Sequence, residues 1–185
     1  MKSEDVAAEF RSERKAYEPK RPIEGVRILK LPRFTDDRGF LLEIFRSRPN
    51  HPESQPLAEF FAGGPAPAQM NYSVVDTDRH VKGLHYHLKQ DDIWFFPPPS
   101  KAKVVLYDIR TASPTFGQTQ TAVAGGGQDL LIRIPTGVAH GYRPLTNPCA
   151  LLYFVTDTFD PNAPDEYRIA WDHPAVKGLW EVPNG

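Results

Sequence analysis

The sequence predicts an all-β protein made of short antiparallel strands, arranged as a sandwich or a barrel. Short runs rich in β-branched and aromatic residues recur along the chain, and clusters of turn-forming residues separate them. The 185 residues include 19 prolines and 13 glycines, which punctuate these runs. We find no helical period that is sustained after residue 20. A chain of this length favours one domain with a sizeable core.

The first 22 residues are expected to form an arm, and residues 23–185 a single jelly-roll domain. The arm is polar and mixed in charge, and Ser3 is a suitable cap for a short helix over residues 4–17. Its apolar stripe is thin, so this helix would lie on the body or on a neighbouring chain. Pro19 and Pro22 end it.

The strands begin at Val26, where the pattern changes. The first two are expected over residues 26–31 and 40–45, with a turn signal at 36–39 between them and loops at 49–56 and 63–67. The others are expected at 69–75, 80–87, 93–96, 102–109, 119–123, 129–134 and 151–156. A small barrel that takes functional side chains on its inner face is a natural small-molecule site, and a jelly roll, cupins included, is the expected architecture.

Charge and cysteine usage exclude several function classes. The net charge is −1, from 22 Lys and Arg against 23 Asp and Glu, so no overall field favours nucleic acid. The single cysteine, Cys149, allows no disulfide framework, and we interpret it as a small buried filler. No run approaches the roughly 18 apolar residues of a membrane span. We therefore expect a cytoplasmic protein without nucleic-acid or membrane partners.

Histidines form the most informative pattern. In an extended strand His85 and His87 share a face, with Tyr86 opposite. Downstream, Pro135 and Gly137 make a turn that leads into a strand carrying His140. Imidazoles that face one cavity can supply a base, a metal cage or no chemistry.

The metal alternative combines His85, His87 and His140 with Asp91 or Asp92. Their spacing is similar to that of cupin metal sites, and three imidazoles with a carboxylate suit a divalent first-row metal. Such a protein would be an oxygenase or an isomerase. His87 taken alone fits a cavity-lining or surface histidine equally well.

In the base alternative, His85 removes a proton from a carbon next to a carbonyl. A histidine can act as such a base without a large pKa shift. Inversion also needs an acid on the other face of the carbon, and Tyr153 is the candidate, although a core tyrosine with a satisfied hydroxyl explains it as well. Arg38 and Lys82 are candidate anion clamps, against the alternative of solvated surface charges.

Several motifs together resemble one family, the dTDP-4-dehydrorhamnose 3,5-epimerases, from about residue 26 to about residue 180. They are Asp37-Arg38-Gly39-Phe40 with Glu43, Gln69-Met70-Asn71-Tyr72-Ser73, Lys82-Gly83-Leu84-His85-Tyr86, Tyr107-Asp108-Ile109-Arg110, Ser113-Pro114-Thr115-Phe116-Gly117, the segment 134–141, Leu152-Tyr153 with Thr156-Asp157, and Ile169-Ala170-Trp171-Asp172. They occur in the family's order and at similar spacing.

The resemblance implies a cupin-type jelly roll, a homodimer, no metal or cofactor, and a nucleotide-linked 4-keto sugar as substrate. It makes His85 the catalytic base and Tyr153 the acid. The remaining residues that it implies are substrate-binding: Arg38 and Lys82 at the diphosphate, Gln69, Asn71 and Glu43 at the nucleotide, partly across the dimer, and His140 in the wall of the site.

Departures from the family pattern bear on activity. Lys82 stands where arginine is usual, His87 where glutamine is usual, and Phe159 where a tyrosine helps to hold the base. The family's carboxylate partner for the base lies in a C-terminal segment beyond the point where this chain stops, so Asp91, Asp92 or Asp172 is expected to orient His85. Epimerisation at one carbon only, another nucleotide sugar, or binding without turnover are the resulting alternatives.

Overall fold

Two five-stranded antiparallel sheets face each other in the computed structural model, which describes residues 5, 7–10 and 21–181. The strands are β1 (Arg27–Lys30), β2 (Arg33–Asp36), β3 (Gly39–Leu42), β4 (Gln69–Val75), β5 (Lys82–Tyr86), β6 (Asp92–Phe95), β7 (Lys101–Asp108), β8 (Thr119–Gly125), β9 (Leu130–Ile134), β10 (Val138–Pro144), β11 (Cys149–Val155) and β12 (Tyr167–Arg168). One α-helix, α1, spans Gln55–Ala62, and short 3-10 turns cover Ala8–Phe10, Pro52–Ser54 and Lys177–Leu179.

The strand order places distant parts of the chain side by side. The first sheet has the order β1-β9-β6-β11-β4, and the second has the order β12-β5-β10-β7-β8. Strands β2 and β3 form a separate two-stranded hairpin that, among the described residues, pairs with neither sheet. Each sheet therefore has one face turned toward the other sheet and one face turned away.

Strand β6 shows how the sequence fills both faces of a sheet. Every residue of this strand is buried, because successive side chains point to opposite sides and both sides are covered. Trp94, together with Phe96 just after the strand, packs into the core between the sheets. Ile93 and Phe95 pack on the outer face against α1. A third cluster, around Leu84, Val105 and Trp180, covers the outer face of the second sheet.

Helix α1 corrects the expectation that no helix follows residue 20 and that residues 49–56 are only a loop. It buries Leu57, Ala58, Phe60 and Phe61 on one side, at the spacing of an amphipathic helix. The pattern is only eight residues long and begins among prolines, so it is too short to stand out as a period. Tertiary packing against the first sheet stabilises a helix that would be marginal alone.

The all-β prediction is confirmed, and most strands lie within a few residues of their expected positions. Strand β4 matches its predicted span of 69–75, whereas the strand predicted at 40–45 is the shorter β3. Strands β2 and β12 were not predicted, and only the entry of β10 was. Most of the helix expected over residues 4–17 lies outside the described residues.

Cys149 is fully buried in the core between the sheets, as predicted, and burial raises the pKa of its thiol. Among the described residues, no helix has the length and apolar character that crossing a membrane requires.

Candidate active site

A cavity of about 1040 Å³ opens between the two sheets and the segment that follows β11. Side chains from β4, β5, β6 and β11 line its walls, and residues 157–171 contribute to its rim. The residues predicted for the site that line it are Gln69, Asn71, Lys82, His85, His87, Tyr153 and Phe159. The structure thus brings together most of the predicted set, from segments far apart in the sequence.

His85 is fixed on a strand that is paired on both sides. It lies opposite His140 of β10 and opposite Arg168 of β12. Its ring centroid is 4.3 Å from that of His140 and 5.1 Å from that of His87, so His85 and His87 share a face as predicted. Burial, followed by the neighbouring imidazole of His140, lowers the pKa of His85 well below 6.5, although the charge of Asp92 opposes this. The imidazole is therefore neutral and has a lone pair available.

Tyr153 enters the same cavity from the facing sheet. It lies in the middle of β11, paired with Trp94 on one side and Asn71 on the other. Burial and the charges of Asp92 and Glu166 raise its pKa, against a weaker effect of Asn71. The phenol keeps its proton at neutral pH and can act as a donor.

Asp92 is the carboxylate that lies among the imidazoles. Its side chain accepts hydrogen bonds from Trp94 Nε1 at 3.0 Å and from Gln90 Nε2 at 2.9 Å. Its Oδ1 lies 3.5 Å from Nε2 of His87, and its Oδ2 lies 3.4 Å from Nε2 of His140. Burial opposes ionisation, but the contacts with the histidines hold the pKa of Asp92 below its ordinary value.

The other two carboxylates considered as partners of His85 are placed differently. Asp91 binds the guanidinium of Arg133 and the backbone N–H of Thr136. Asp172 is exposed. Asp92 is therefore the one that can influence the imidazoles directly.

His87 and His140 are both held by backbone carbonyls. His140 is 1% exposed, and its Nδ1 lies 2.8 Å from the carbonyl oxygen of Val138. His87 is 6% exposed, and its Nδ1 contacts the carbonyl oxygen of Asp165. These contacts fix the orientation of both rings. His140 packs against His85 but, unlike His85 and His87, does not itself line the cavity.

Gln69, Asn71 and Phe159 form a connected patch at the mouth of the cavity. Gln69 Nε2 donates to Asn71 Oδ1 at 2.8 Å, and the backbone N–H of Phe159 donates to Gln69 Oε1 at 3.0 Å. The Phe159 ring is 66% exposed, and Lys82 is exposed at the start of β5. These side chains are open to a ligand rather than committed to the core.

Arg38 and Glu43 lie away from this cavity. Arg38 is in the turn of the β2–β3 hairpin, where it pairs with Asp36 at 2.6 Å and its side chain is 86% exposed. Glu43 pairs with Arg46 at 2.6 Å and lines a second, smaller cavity of about 320 Å³. The single chain does not bring these two residues together with His85.

Several lining residues were missed by the sequence analysis. Trp94, Lys89, Glu166 and Arg168 all face the cavity. Arg168 lies on β12, a strand of two residues that is too short to give a periodic signal. In the sequence, Trp94 is only one residue of an apolar strand. Its indole hydrogen bond to Asp92 forms only in the folded chain, so the sequence does not indicate it.

Comparison with known proteins identifies the family of this chain. A family model described as dTDP-4-dehydrorhamnose 3,5-epimerase matches residues 20–184. The chain is 43% identical to the spore coat polysaccharide biosynthesis protein SpsL of Bacillus subtilis, over 86% of this chain and 97% of that protein. It is 31% identical to the probable low-salt glycan biosynthesis epimerase Agl13 of Haloferax volcanii, over 86% of this chain and 96% of that protein.

The structural comparison leads to the same family. The crystal structure of dTDP-6-deoxy-D-glucose-3,5-epimerase RmlC from Legionella pneumophila, in complex with dTDP-4-keto-L-rhamnose, superposes with a TM-score of 0.72 at 26% identity. It covers 88% of this chain and 81% of that one. The predicted cupin-type jelly roll is confirmed by this match. The chain belongs to the dTDP-4-dehydrorhamnose 3,5-epimerase family.

Proposed function

We propose that the protein epimerises a nucleotide-linked 4-keto-6-deoxy sugar at C3, C5 or both, with His85 as the base and Tyr153 as the acid. One observation carries the proposal. A neutral imidazole and a protonated phenol line one cavity from two sheets that face each other. A sugar ring between them would present one face to each group.

The chemistry needs no redox cofactor. The C4 ketone acidifies the protons at C3 and C5, and His85 removes one of them to leave an enolate. Tyr153 then donates a proton to the opposite face of the same carbon, which inverts it. Lys82, Lys89 and Arg168 line the cavity and supply positive charge for the enolate oxygen and the diphosphate.

The substrate class is proposed from the cavity and from the relatives. The cavity lies at the upper end of the range for drug-sized ligands, which suits a nucleotide sugar. The similar Legionella pneumophila enzyme was crystallised with dTDP-4-keto-L-rhamnose, so a dTDP-linked sugar is the first candidate. The names of SpsL and Agl13 favour a role in polysaccharide or glycan biosynthesis.

Deuterium exchange with labelled solvent tests the two roles separately. His85→Ala should stop both deuterium entry and inversion, with a loss of about 10²–10⁴-fold. Tyr153→Phe should stop inversion while His85 still exchanges the proton on its own face. His80→Ala, which removes an exposed imidazole, is the matched control. Deuterium exchange at the wild-type rate in His85→Ala would refute the role of His85 as the base. Tight binding of sugar nucleotides by the wild type without any exchange would refute the proposed epimerase activity.

We also propose that the chain works as a homodimer in which Arg38 serves the cavity of the partner. Arg38 is exposed on a hairpin whose other exposed side chains include Phe34, Phe40 and Leu41. An exposed apolar surface of this kind is typical of an interaction site. Strand β4, at the edge of its sheet, adds exposed Met70 and Tyr72.

Mixed dimers test this arrangement. Unfolding and refolding Arg38→Ala together with His85→Ala should give heterodimers in which one cavity has both intact residues. If Arg38 acts across the interface, about a quarter of all sites should regain activity. Two inactive parents that give an inactive mixture would place Arg38 in its own chain's site, and a fully active Arg38→Ala parent would place it outside the reaction.

A further inference from the structure

His85, His87, Asp92 and His140 form a tight group, here called the imidazole–carboxylate cluster. Each residue offers one ligand atom, and these atoms all lie within 4.8 Å of one another. His87, Asp92 and His140 are buried, and His85 is half-buried at the cavity wall. Strands from both sheets supply the group, which is therefore held by the core of the fold.

Hydrogen bonding shows where the lone pairs point. A carbonyl oxygen can only accept, so the Nδ1 of His140, which lies beside the carbonyl of Val138, carries a hydrogen. The Nδ1 of His87 carries one as well, because it contacts the carbonyl of Asp165. In a neutral imidazole the Nε2 then has the lone pair. Both Nε2 atoms face the oxygens of Asp92.

With both rings neutral, the Nε2 lone pairs of His87 and His140 and the oxygens of Asp92 are all acceptors, and they face one another inside the protein. The Nε2 of His140 is buried and, among the described residues, has no hydrogen-bond partner. Buried polar atoms without partners are rare in folded proteins and call for an explanation. A cation at the centre of the group would bond to every one of these lone pairs.

The spacing fits a small tetrahedral ion. Zinc bonds of about 2.0–2.1 Å in tetrahedral geometry place neighbouring ligand atoms about 3.3 Å apart. Nε2 of His87 lies 3.5 Å from Oδ1 of Asp92, and Nε2 of His140 lies 3.4 Å from Oδ2, so each ring has one carboxylate oxygen close to this spacing. Three imidazole nitrogens and one carboxylate oxygen are a donor set for divalent first-row transition ions.

The surroundings also resemble those of a metal site. Ligating histidines commonly donate their second N–H to a carbonyl, which fixes the ring, and His87 and His140 both do so. Hydrogen bonds from Trp94 and Gln90 hold Asp92 in place. These contacts orient the ligands before any ion arrives.

We propose that the imidazole–carboxylate cluster binds one divalent first-row transition metal ion, with Zn²⁺ as the best fit. A nitrogen that coordinates a metal cannot accept a proton. The bound ion would therefore inhibit proton abstraction by His85, a consequence that rests on the proposed function. The binding itself does not depend on it.

Cobalt and zinc titrations of protein purified without a tag and stripped with a chelator test the site. One Co²⁺ per chain should bind with the intense visible absorption of tetrahedral cobalt, and Zn²⁺ should remove this absorption by displacement. Asp92→Asn and His140→Gln should weaken binding at least about tenfold, as loss of a ligand does at least as much as loss of a supporting contact. His80→Gln, which removes an exposed imidazole, should bind as the wild type does.

Weak octahedral cobalt absorption, the absence of stoichiometric binding, or equal binding by wild type and Asp92→Asn would overturn the proposal. Circular dichroism establishes whether each variant is folded. Should the two buried variants unfold, the wild-type cobalt spectrum and the variant His87→Gln still decide. Since the titration contains no nucleotide sugar, it can fail or succeed independently of the epimerase assay, in which added Zn²⁺ should slow deuterium exchange.

Discussion

Asp165 should be the residue that holds the rim of the cavity to the end of strand β5. Its carboxylate accepts hydrogen bonds from three consecutive backbone N–H groups, those of Leu88, Lys89 and Gln90. Its own carbonyl oxygen contacts the Nδ1 of His87. Asp165 therefore attaches the cavity rim, residues 157–171, to the end of β5, the strand that carries the predicted base His85.

The magnitude follows from the number of bonds lost in Asp165→Ala. A net contribution of about 1 kcal/mol for each of the three backbone hydrogen bonds gives a loss of about 3 kcal/mol. For a domain of this size that corresponds to a fall in Tm of about 6–12 °C. Asp165→Asn keeps one carbonyl oxygen as an acceptor, so it should lose about half as much. Thermal unfolding followed by near-ultraviolet circular dichroism measures both variants.

Asp160→Ala is the matched control, because it removes an exposed aspartate from the same segment. Within the described part of the chain, the side chain of Asp160 accepts a hydrogen bond only from the nearby N–H of Asn162. It should leave Tm within about 2 °C of the wild type. Equal Tm values for Asp160→Ala and Asp165→Ala would refute the role given to Asp165. A fall in Tm for Asp165→Ala should also be accompanied by weaker binding of sugar nucleotides, since the rim loses its attachment.

Three further substitutions test the fold that positions the site. Burial opposes ionisation of Asp108, but hydrogen bonds led by those of Arg110 hold the pKa of this carboxyl below 3.8. Asp108→Asn should therefore lower the free energy of unfolding, measured in urea at pH 7, by about 2–4 kcal/mol. The pKa of Asp108 is lower in the folded than in the unfolded chain, so its contribution to stability is complete above the unfolded pKa and is lost as the pH falls. The difference in unfolding free energy between Asp108→Asn and the wild type should therefore shrink in acid. Gly141→Ala places a Cβ 2.6 Å from the carbonyl oxygen of Lys82 and should destabilise the β5–β10 pair by about 1–3 kcal/mol; unchanged unfolding would contradict this. Arg133→Met leaves a buried carboxylate without its partner and should cost about 3–5 kcal/mol, unlike a surface arginine.

The strands could be predicted because their signals are local. In β4, apolar and polar residues alternate between turn clusters, and its span was predicted to the residue. Helix α1 was missed because its eight residues carry little periodicity, and its apolar side acquires meaning only against the first sheet. Strand β12 was missed for a similar reason, since two residues in extended conformation are defined by pairing with β5.

The site could be predicted only where the residues carry their own chemical signal. His85 and His87 stand two apart on a strand, which fixes their common face without knowledge of the fold. The choice of Asp92 over Asp91 could not be made from sequence, because it depends on Arg133, which draws Asp91 away from the imidazoles. The position of Arg38 could not be predicted either, since the hairpin that carries it pairs with neither sheet among the described residues.

Proton abstraction and metal binding need the same preparation of an imidazole, namely exclusion of water, a free lone pair and a fixed ring. What separates them is whether the lone pairs of neighbouring groups converge on one point. In this chain convergence has two sources: His87, which shares a face with His85, and Asp92, which reaches the group from the facing sheet. An amide at position 87, as in the family pattern, would supply a weaker ligand and leave His85 freer to act as a base. Under the two proposals, the side chain at position 87 sets how strongly a metal ion held by the cluster would compete with the substrate's proton for the lone pair of His85.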